Sequence, residues 1–167
     1  MDSMEDRLAA LEAHVAALSQ RFAAAPPPPP APEGTFWALD GLKQRLPADG
    51  SGAVLYTGTV RVAGQHYDWQ YGRTVDDLLA VDWTELASTL SALAHPVRLR
   101  LLREILGGRQ STSELAEIDE LGTTGQLHHH LRQITAAGWL RSAGRGRYAV
   151  PAERVVPLLA ILAAAGR

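Results

Sequence analysis

The chain has 167 residues and no cysteine, which excludes disulfides, thiolate metal sites and a cysteine nucleophile and favours a cytoplasmic location. Hydrophobic residues make up 46%, enough for a packed core, and the formal net charge is -2. The charge is uneven, because residues 95–150 carry 8 basic and 5 acidic side chains whereas residues 1–94 carry 6 and 12. A polyanion would therefore meet residues 95–150 first. The longest apolar run contains Pro157 and is too short to cross a membrane, so no membrane partner is expected.

Residues 1–22 show an apolar repeat with alternating spacings of four and three. This heptad pattern predicts a coiled-coil oligomerisation helix, with docking onto the same chain as the alternative. The predicted contact residues are Leu8, Leu11, Val15, Leu18 and Phe22. Residues 23–34 are rich in proline and predict an extended polyproline linker. Self-association through residues 4–22 could join two dimers into a tetramer.

Residues 35–81 are predicted to form an accessory region with a short helix at 36–46 and a β-hairpin that turns at Ala63-Gly64. Pairing across this turn places an apolar face on one side of the hairpin and a polar face on the other. An isolated hairpin is marginally stable in water, so it should pack on the helix at 36–46 or on the helix that follows. Alternatively, the aromatic face could line a small-molecule pocket. The aromatic residues on it are Tyr56, Tyr67, Trp69 and Tyr71.

The pattern of residues 82–167 predicts a series of helices, then a short hairpin and a last helix. Asp82 and the pair His95-Pro96 mark helix starts, and Gly107-Gly108 marks a stop. Short helices follow at about 112–118 and from 123 to Gly138. After them come a strand, a Gly-Arg-Gly tip and a second strand. This order is typical of a winged helix-turn-helix. The expected fold class is mainly α with small β-hairpins, that is α+β, with a coiled-coil helix and an extra hairpin added at the N-terminus.

The segments "LSALAHPVRLRLLREILGG", "STSELAE", "TTGQLHHHLRQITAAGWL" and "GRGRYAV" resemble the ArsR-type winged helix-turn-helix transcriptional regulators. The resemblance covers about residues 88–165. It implies a homodimer that binds an operator and represses transcription, with outer helices 83–94 and 152–165 at the interface. The apolar residues of these helices assigned to oligomerisation are Leu86, Leu90, Leu159 and Leu162. The metal ligands of sensors in this family are absent from the corresponding helices here.

Three consecutive histidines, 128 to 130, lie on the second helix of the predicted helix-turn-helix. Residues of a helix step by 100°, so adjacent histidines cannot bind one ion, and no partner stands at the spacing of four that helical metal pairs need. No metal and no cofactor are therefore expected. If Leu127 faces inward, so do Leu131 and Ile134, and His130 lies on the flank of that buried face.

The outward residues of this helix and the arginines of the hairpin tip form the predicted DNA-binding set. A helix fits the major groove, and a glycine-flanked arginine can approach phosphates closely. The alternative is that the threonine only caps the helix and that the arginines form a solvated face. The predicted residues are Thr123, Thr124, Gly125, Gln126, His128, His129, Arg132, Arg145 and Arg147.

The sequence therefore predicts a cytoplasmic, nucleoid-associated regulator that binds double-stranded DNA as a homodimer or higher oligomer, and it predicts no enzyme. It contains no Gly-rich phosphate loop and no nucleophile or carboxylate pair with a recognisable scaffold. Two alternatives stay open. One is a protein-interaction module that reuses a winged helix, and the other is a ligand-gated regulator with a small-molecule pocket in residues 36–83.

Overall fold

The computed structural model describes residues 36–118 and 121–166. The predicted coiled-coil helix at 1–22 and the proline linker at 23–34 lie outside these residues. The chain divides into two compact units, Met1–Arg45 and Leu46–Arg167. The described part is mixed α+β, as expected from the sequence.

Only one helix of the first unit is described, α1 at Trp37–Lys43. It ends three residues earlier than the predicted helix at 36–46, before Pro47 is reached. Phe36, Trp37 and Leu39 are all exposed.

The second unit opens with an antiparallel hairpin of β1 (Ala53–Val62) and β2 (Gln65–Thr74). Its register pairs Val60 with Tyr67 and Gly58 with Trp69, which confirms the predicted pairing. Ala63 and Gly64 form the turn with φ of 47° and 74°, the left-handed pair that matches the twist of two strands. A short helix that was not predicted, α2 at Val75–Ala80, follows directly.

The C-terminal helix α7 (Ala152–Ala165) packs against both strands of this hairpin. A Cβ atom at Gly58 would lie 2.8 Å from Cγ1 of Val156, so the two backbones approach closely at this point. Val60 and Tyr67 pack against the buried core from the same face. The hairpin therefore rests mainly on α7, whereas the sequence predicted packing on the helix at 36–46 or on the helix that follows the hairpin. The contact could not be predicted because the two segments are about 90 residues apart.

Between the hairpin and α7, the predicted helix over 83–94 is divided into a 3-10 turn at Trp83–Leu86 and α3 at Ala87–Ser91. Asp82 caps the turn by accepting the N–H of Thr84 at 2.9 Å. The helices α4 (Pro96–Leu106), α5 (Thr112–Ala116) and α6 (Thr124–Ala136) follow. Two short strands, β3 (Arg141–Ser142) and β4 (Tyr148–Ala149), make a second hairpin before α7.

The core lies among α4, α5, α6 and α7. Its side chains are aliphatic apart from one tryptophan, and no polar or charged residue of the described part is buried with them. The largest fully buried members are Trp139, Leu101, Leu102, Ile105, Leu115, Leu127, Leu131, Ile134 and Leu158. Helix α7 contributes to this core and also supports the first hairpin, so the hairpin and the core share this helix.

Candidate nucleic-acid interface

Helix α6 presents one buried and one open side. Leu127, Leu131 and Ile134 are at most 2% exposed, which confirms the predicted inward face. The other side has no covering element in the described part of the chain, and its residues are exposed. They are Thr123, Thr124, Gly125, Gln126, His128, His129 and Arg132. The apolar stripe thus fixes which side chains α6 offers to a partner.

The start of α6 is fixed by a reciprocal cap. Thr123 Oγ1 accepts the N–H of Gln126 at 3.4 Å, and the N–H of Thr123 donates to Gln126 Oε1 at 2.8 Å. Such a box satisfies two donors that a helix start otherwise leaves unpaired. A bidentate contact of Gln126 with adenine uses both amide atoms, so it requires the side chain to leave this cap.

The three histidines have different surroundings. His128 and His129 are exposed, while His130 is partly buried, as predicted for the flank of the apolar stripe. The ring of His130 lies 4.7 Å from the ring of His95, which is the N-cap residue of α4. The Nδ1 atom of His130 is buried and has no hydrogen-bond partner among the described residues. Burial lowers the pKa of His130, and the nearby His95, His129 and Arg98 lower it further. His130 therefore serves packing, and its surroundings favour the neutral form of its ring.

The guanidinium of Arg98 also joins α6 to its neighbours. Arg98 on α4 donates to Gln133 Oε1 at 2.7 Å and to the carbonyl oxygen of Ser91 at 2.7 Å. Just after α6, the indole N–H of Trp139 donates to the carbonyl oxygen of Thr89 at 2.8 Å. These bonds connect α6 and its C-terminal end to α3 and α4. The bonds of Arg98 to Gln133 and of Trp139 to Thr89 could not be predicted from the sequence, because their partners are 35 and 50 residues apart.

The second hairpin is bonded to the start of α5. Its tip carries Arg145 between Gly144 and Gly146, whose φ values of 128° and 65° are ones that favour glycine. The N–H of Thr112 donates to the Gly146 carbonyl at 2.9 Å, and the segment at Ser111 forms a bridge with Arg147. The tip is therefore fixed relative to α5, a contact that the sequence analysis did not predict.

The two arginines of this tip differ in their surroundings. Arg147 donates to Gln110 Oε1 at 3.3 Å, whereas the side chain of Arg145 makes no hydrogen bond or ion pair with any residue of the described ranges. Hydrogen bonds from Ser111 lower the pKa of Glu114, and the charge of the nearby Arg147 lowers it further. Arg145 is accordingly the cation of the tip that is most available to an outside anion.

The four leucines assigned to oligomerisation border two different grooves. Leu86 and Leu90 lie in a groove of about 400 Å³ together with Ile161 of α7. Leu159 and Leu162 lie on another side of α7, in a groove of about 790 Å³ that α4 completes. The structure therefore divides this predicted set into two sites.

The aromatic residues of the first hairpin are also divided. Tyr56 borders the groove of Leu86 and Leu90, and Tyr67 borders a separate cavity of about 430 Å³ beside the hairpin tip. Trp69 is partly buried, with an indole N–H that has no hydrogen-bond partner, and Tyr71 is exposed, 5.8 Å from the ring of Tyr56. The face is thus shared between core packing and two cavities.

Among residues 36–118 and 121–166, no three histidine, aspartate or glutamate side chains are grouped so that they could hold a metal ion. No helix in these ranges has the length and apolar character needed to span a bilayer. The chain matches no family model, no curated protein and no solved structure.

Proposed function

We propose that the protein is a sequence-specific DNA-binding transcriptional regulator, a repressor, with a winged helix-turn-helix formed by residues 82–166. In this proposal α5 and α6 are the helix-turn-helix, and the hairpin of residues 141–149 is the wing. The observation that carries the proposal is the open side of α6, which bears mainly polar side chains, together with a glycine-flanked Arg145 that has no partner among the described residues.

The parts have distinct roles in a complex with DNA. His128 and His129 are at positions from which a helix in the major groove reads base edges, and Thr124 is near the helix start, where backbone phosphates are contacted. Arg132 and Arg145 neutralise phosphates. Gln126 keeps the helix start in place through its cap with Thr123, and it contacts bases only after that cap opens.

The proposed regulator is a homodimer that uses the groove of Leu86 and Leu90. These two leucines are 46% and 52% exposed, and Trp83, nearby in sequence, is 63% exposed. So many exposed apolar side chains in one short segment are typical of a surface that a partner covers. A two-fold interface would bury them against their own copies. Replacing Leu90 with Glu should lower the mass per particle measured by sedimentation, and an unchanged mass would contradict this interface.

A binding experiment on the full chain tests DNA recognition. Genomic fragments that the protein retains are sequenced, and fluorescence polarisation is then measured on a selected duplex over a range of salt concentrations. We expect the logarithm of the affinity to fall linearly with the logarithm of salt concentration, since phosphate contacts release counterions. Arg145→Ala should weaken binding and make the slope shallower by about 1.

Arg61→Ala is the matched control, because Arg61 is an exposed arginine on the other hairpin. Its slope and affinity should equal those of the unmodified protein. Equal effects of Arg145→Ala and Arg61→Ala would refute the role of the wing. If no fragment is retained, the alternative that residues 82–166 form a protein-interaction module replaces the proposal.

A further inference from the structure

A groove lies between α4 and α7. Its volume is about 790 Å³, within the range of about 300–1,000 Å³ that is usual for small-molecule sites. Leu102 and Leu158 are buried at its base, Leu99 and Leu159 are partly exposed, and Leu162 is exposed at its edge. Val62 at the end of β1 closes one side. The cavity is thus deep, apolar and open to solvent along one side.

The charged groups along this groove are unbalanced. Arg100, Arg103 and Glu104 border it. The carboxylate of Glu104 lies 3.6 Å from the guanidinium of Arg109, so this negative charge already has a partner. The side chain of Arg103 is exposed and makes no hydrogen bond or ion pair with any residue that the structure describes. An apolar cavity therefore has an available cation at its border.

From this arrangement we propose that the α4–α7 groove binds an amphipathic small molecule with an apolar hydrocarbon body and one carboxylate, the body lying on the leucines and the carboxylate on Arg103. Apolar walls with an available arginine at the border favour a ligand of this kind, because the hydrocarbon body loses contact with water while the carboxylate stays hydrated. The guanidinium can bind a carboxylate through two parallel hydrogen bonds.

A second copy of the chain fits this groove less well. A two-fold interface places the same patch on both sides, so both protomers would bring an Arg103 without a partner in the described residues, while Glu104, the carboxylate that borders the groove, is already paired with Arg109. The buried leucines at the base of the groove would not touch a flat partner surface. A stable interface needs about 800 Å² of accessible surface on each partner. The proposal is independent of DNA binding, because no residue of the groove belongs to the candidate interface on α6 and the wing.

The test uses the full chain and displacement of dansyl-labelled undecanoic acid, whose fluorescence rises in an apolar site. Dodecanoate and dodecanol, both below the concentrations at which they aggregate, are the competitors. We expect one probe molecule per chain and stronger displacement by dodecanoate than by dodecanol. Arg103→Gln should weaken dodecanoate about fivefold and leave dodecanol unchanged, as the loss of a partly exposed charged hydrogen bond implies.

Two further variants locate the site. Arg61→Gln is the matched control, because Arg61 is an exposed arginine that does not border the groove, and this variant should bind as the unmodified protein does. Leu159→Trp fills the groove and should abolish probe binding while the circular dichroism spectrum stays unchanged. Binding that is insensitive to Leu159→Trp would overturn the assignment to this groove. Equal displacement by the acid and the alcohol, or absence of probe binding, would also overturn it, as would a loss of dimer mass on Leu159→Trp.

Discussion

Replacement of Gly58 by Ala tests the contact between the first hairpin and α7. The added Cβ would lie 2.8 Å from Cγ1 and 3.5 Å from Cγ2 of Val156, whereas carbon atoms pack best at about 3.5–4.0 Å. Val156 is only 3% exposed, so its side chain has little room to move away. Overpacking of this kind costs about 1–3 kcal/mol, and the reduced entropy of the unfolded chain offsets about 0.4–1 kcal/mol. We expect a net loss of about 0.5–2 kcal/mol in the free energy of unfolding.

A double-mutant cycle separates this clash from other effects. Val156→Ala alone leaves a cavity, but it keeps the Cβ atom, which would be 3.7 Å from Cβ of Ala at position 58, an ordinary contact. The double variant should therefore be more stable than the sum of the two single changes predicts, by about 1 kcal/mol.

The free energy of unfolding would be measured by urea denaturation, followed by circular dichroism and tryptophan fluorescence. Gly125→Ala is the control, and it should raise the free energy of unfolding. The added Cβ would meet no atom nearer than 3.9 Å, and alanine stabilises a helix by about 0.5–1 kcal/mol relative to glycine. Additive effects in the cycle, or full stability of Gly58→Ala, would refute the packing of the hairpin on α7.

Three other predictions concern α6 and its surroundings. The pKa of His130 is lowered from 6.5 in the folded state, so the unfolded chain binds the proton more readily. Stability should be complete above about pH 6.5 and fall below it, and His130→Gln should reduce this loss in denaturation curves recorded between pH 5 and 7.5. Thr123→Ala should cost about 0.5–2 kcal/mol through loss of the cap, whereas Thr123→Ser should retain most of it, which thermal unfolding would resolve. Trp139→Phe leaves the carbonyl of Thr89 without its donor and should cost about 1–3 kcal/mol; a stability equal to that of the unmodified protein would show that this bond does not anchor α6.

Local patterns in the sequence determined the elements and their inward faces. The capping residues Asp82, His95 and Thr123 and the turn at Ala63-Gly64 act within a few residues, so they could be identified without a structure. The spacing of Leu127, Leu131 and Ile134 likewise follows from helix geometry, and it placed His130 on the flank of the core. The division of the helix over 83–94 and the existence of α2 were not predicted, because short helices have weak periodicity and depend on tertiary packing.

Only the tertiary structure decided how these elements meet. It placed the hairpin on α7, bonded the arginine tip to α5, and joined α6 to α3 and α4 through Arg98 and Trp139. It also divided the predicted oligomerisation leucines between two grooves, of which only one remains in the proposed dimer interface. These contacts join residues far apart in the chain, and a side chain's spacing within its own helix or strand does not specify which distant surface will cover it.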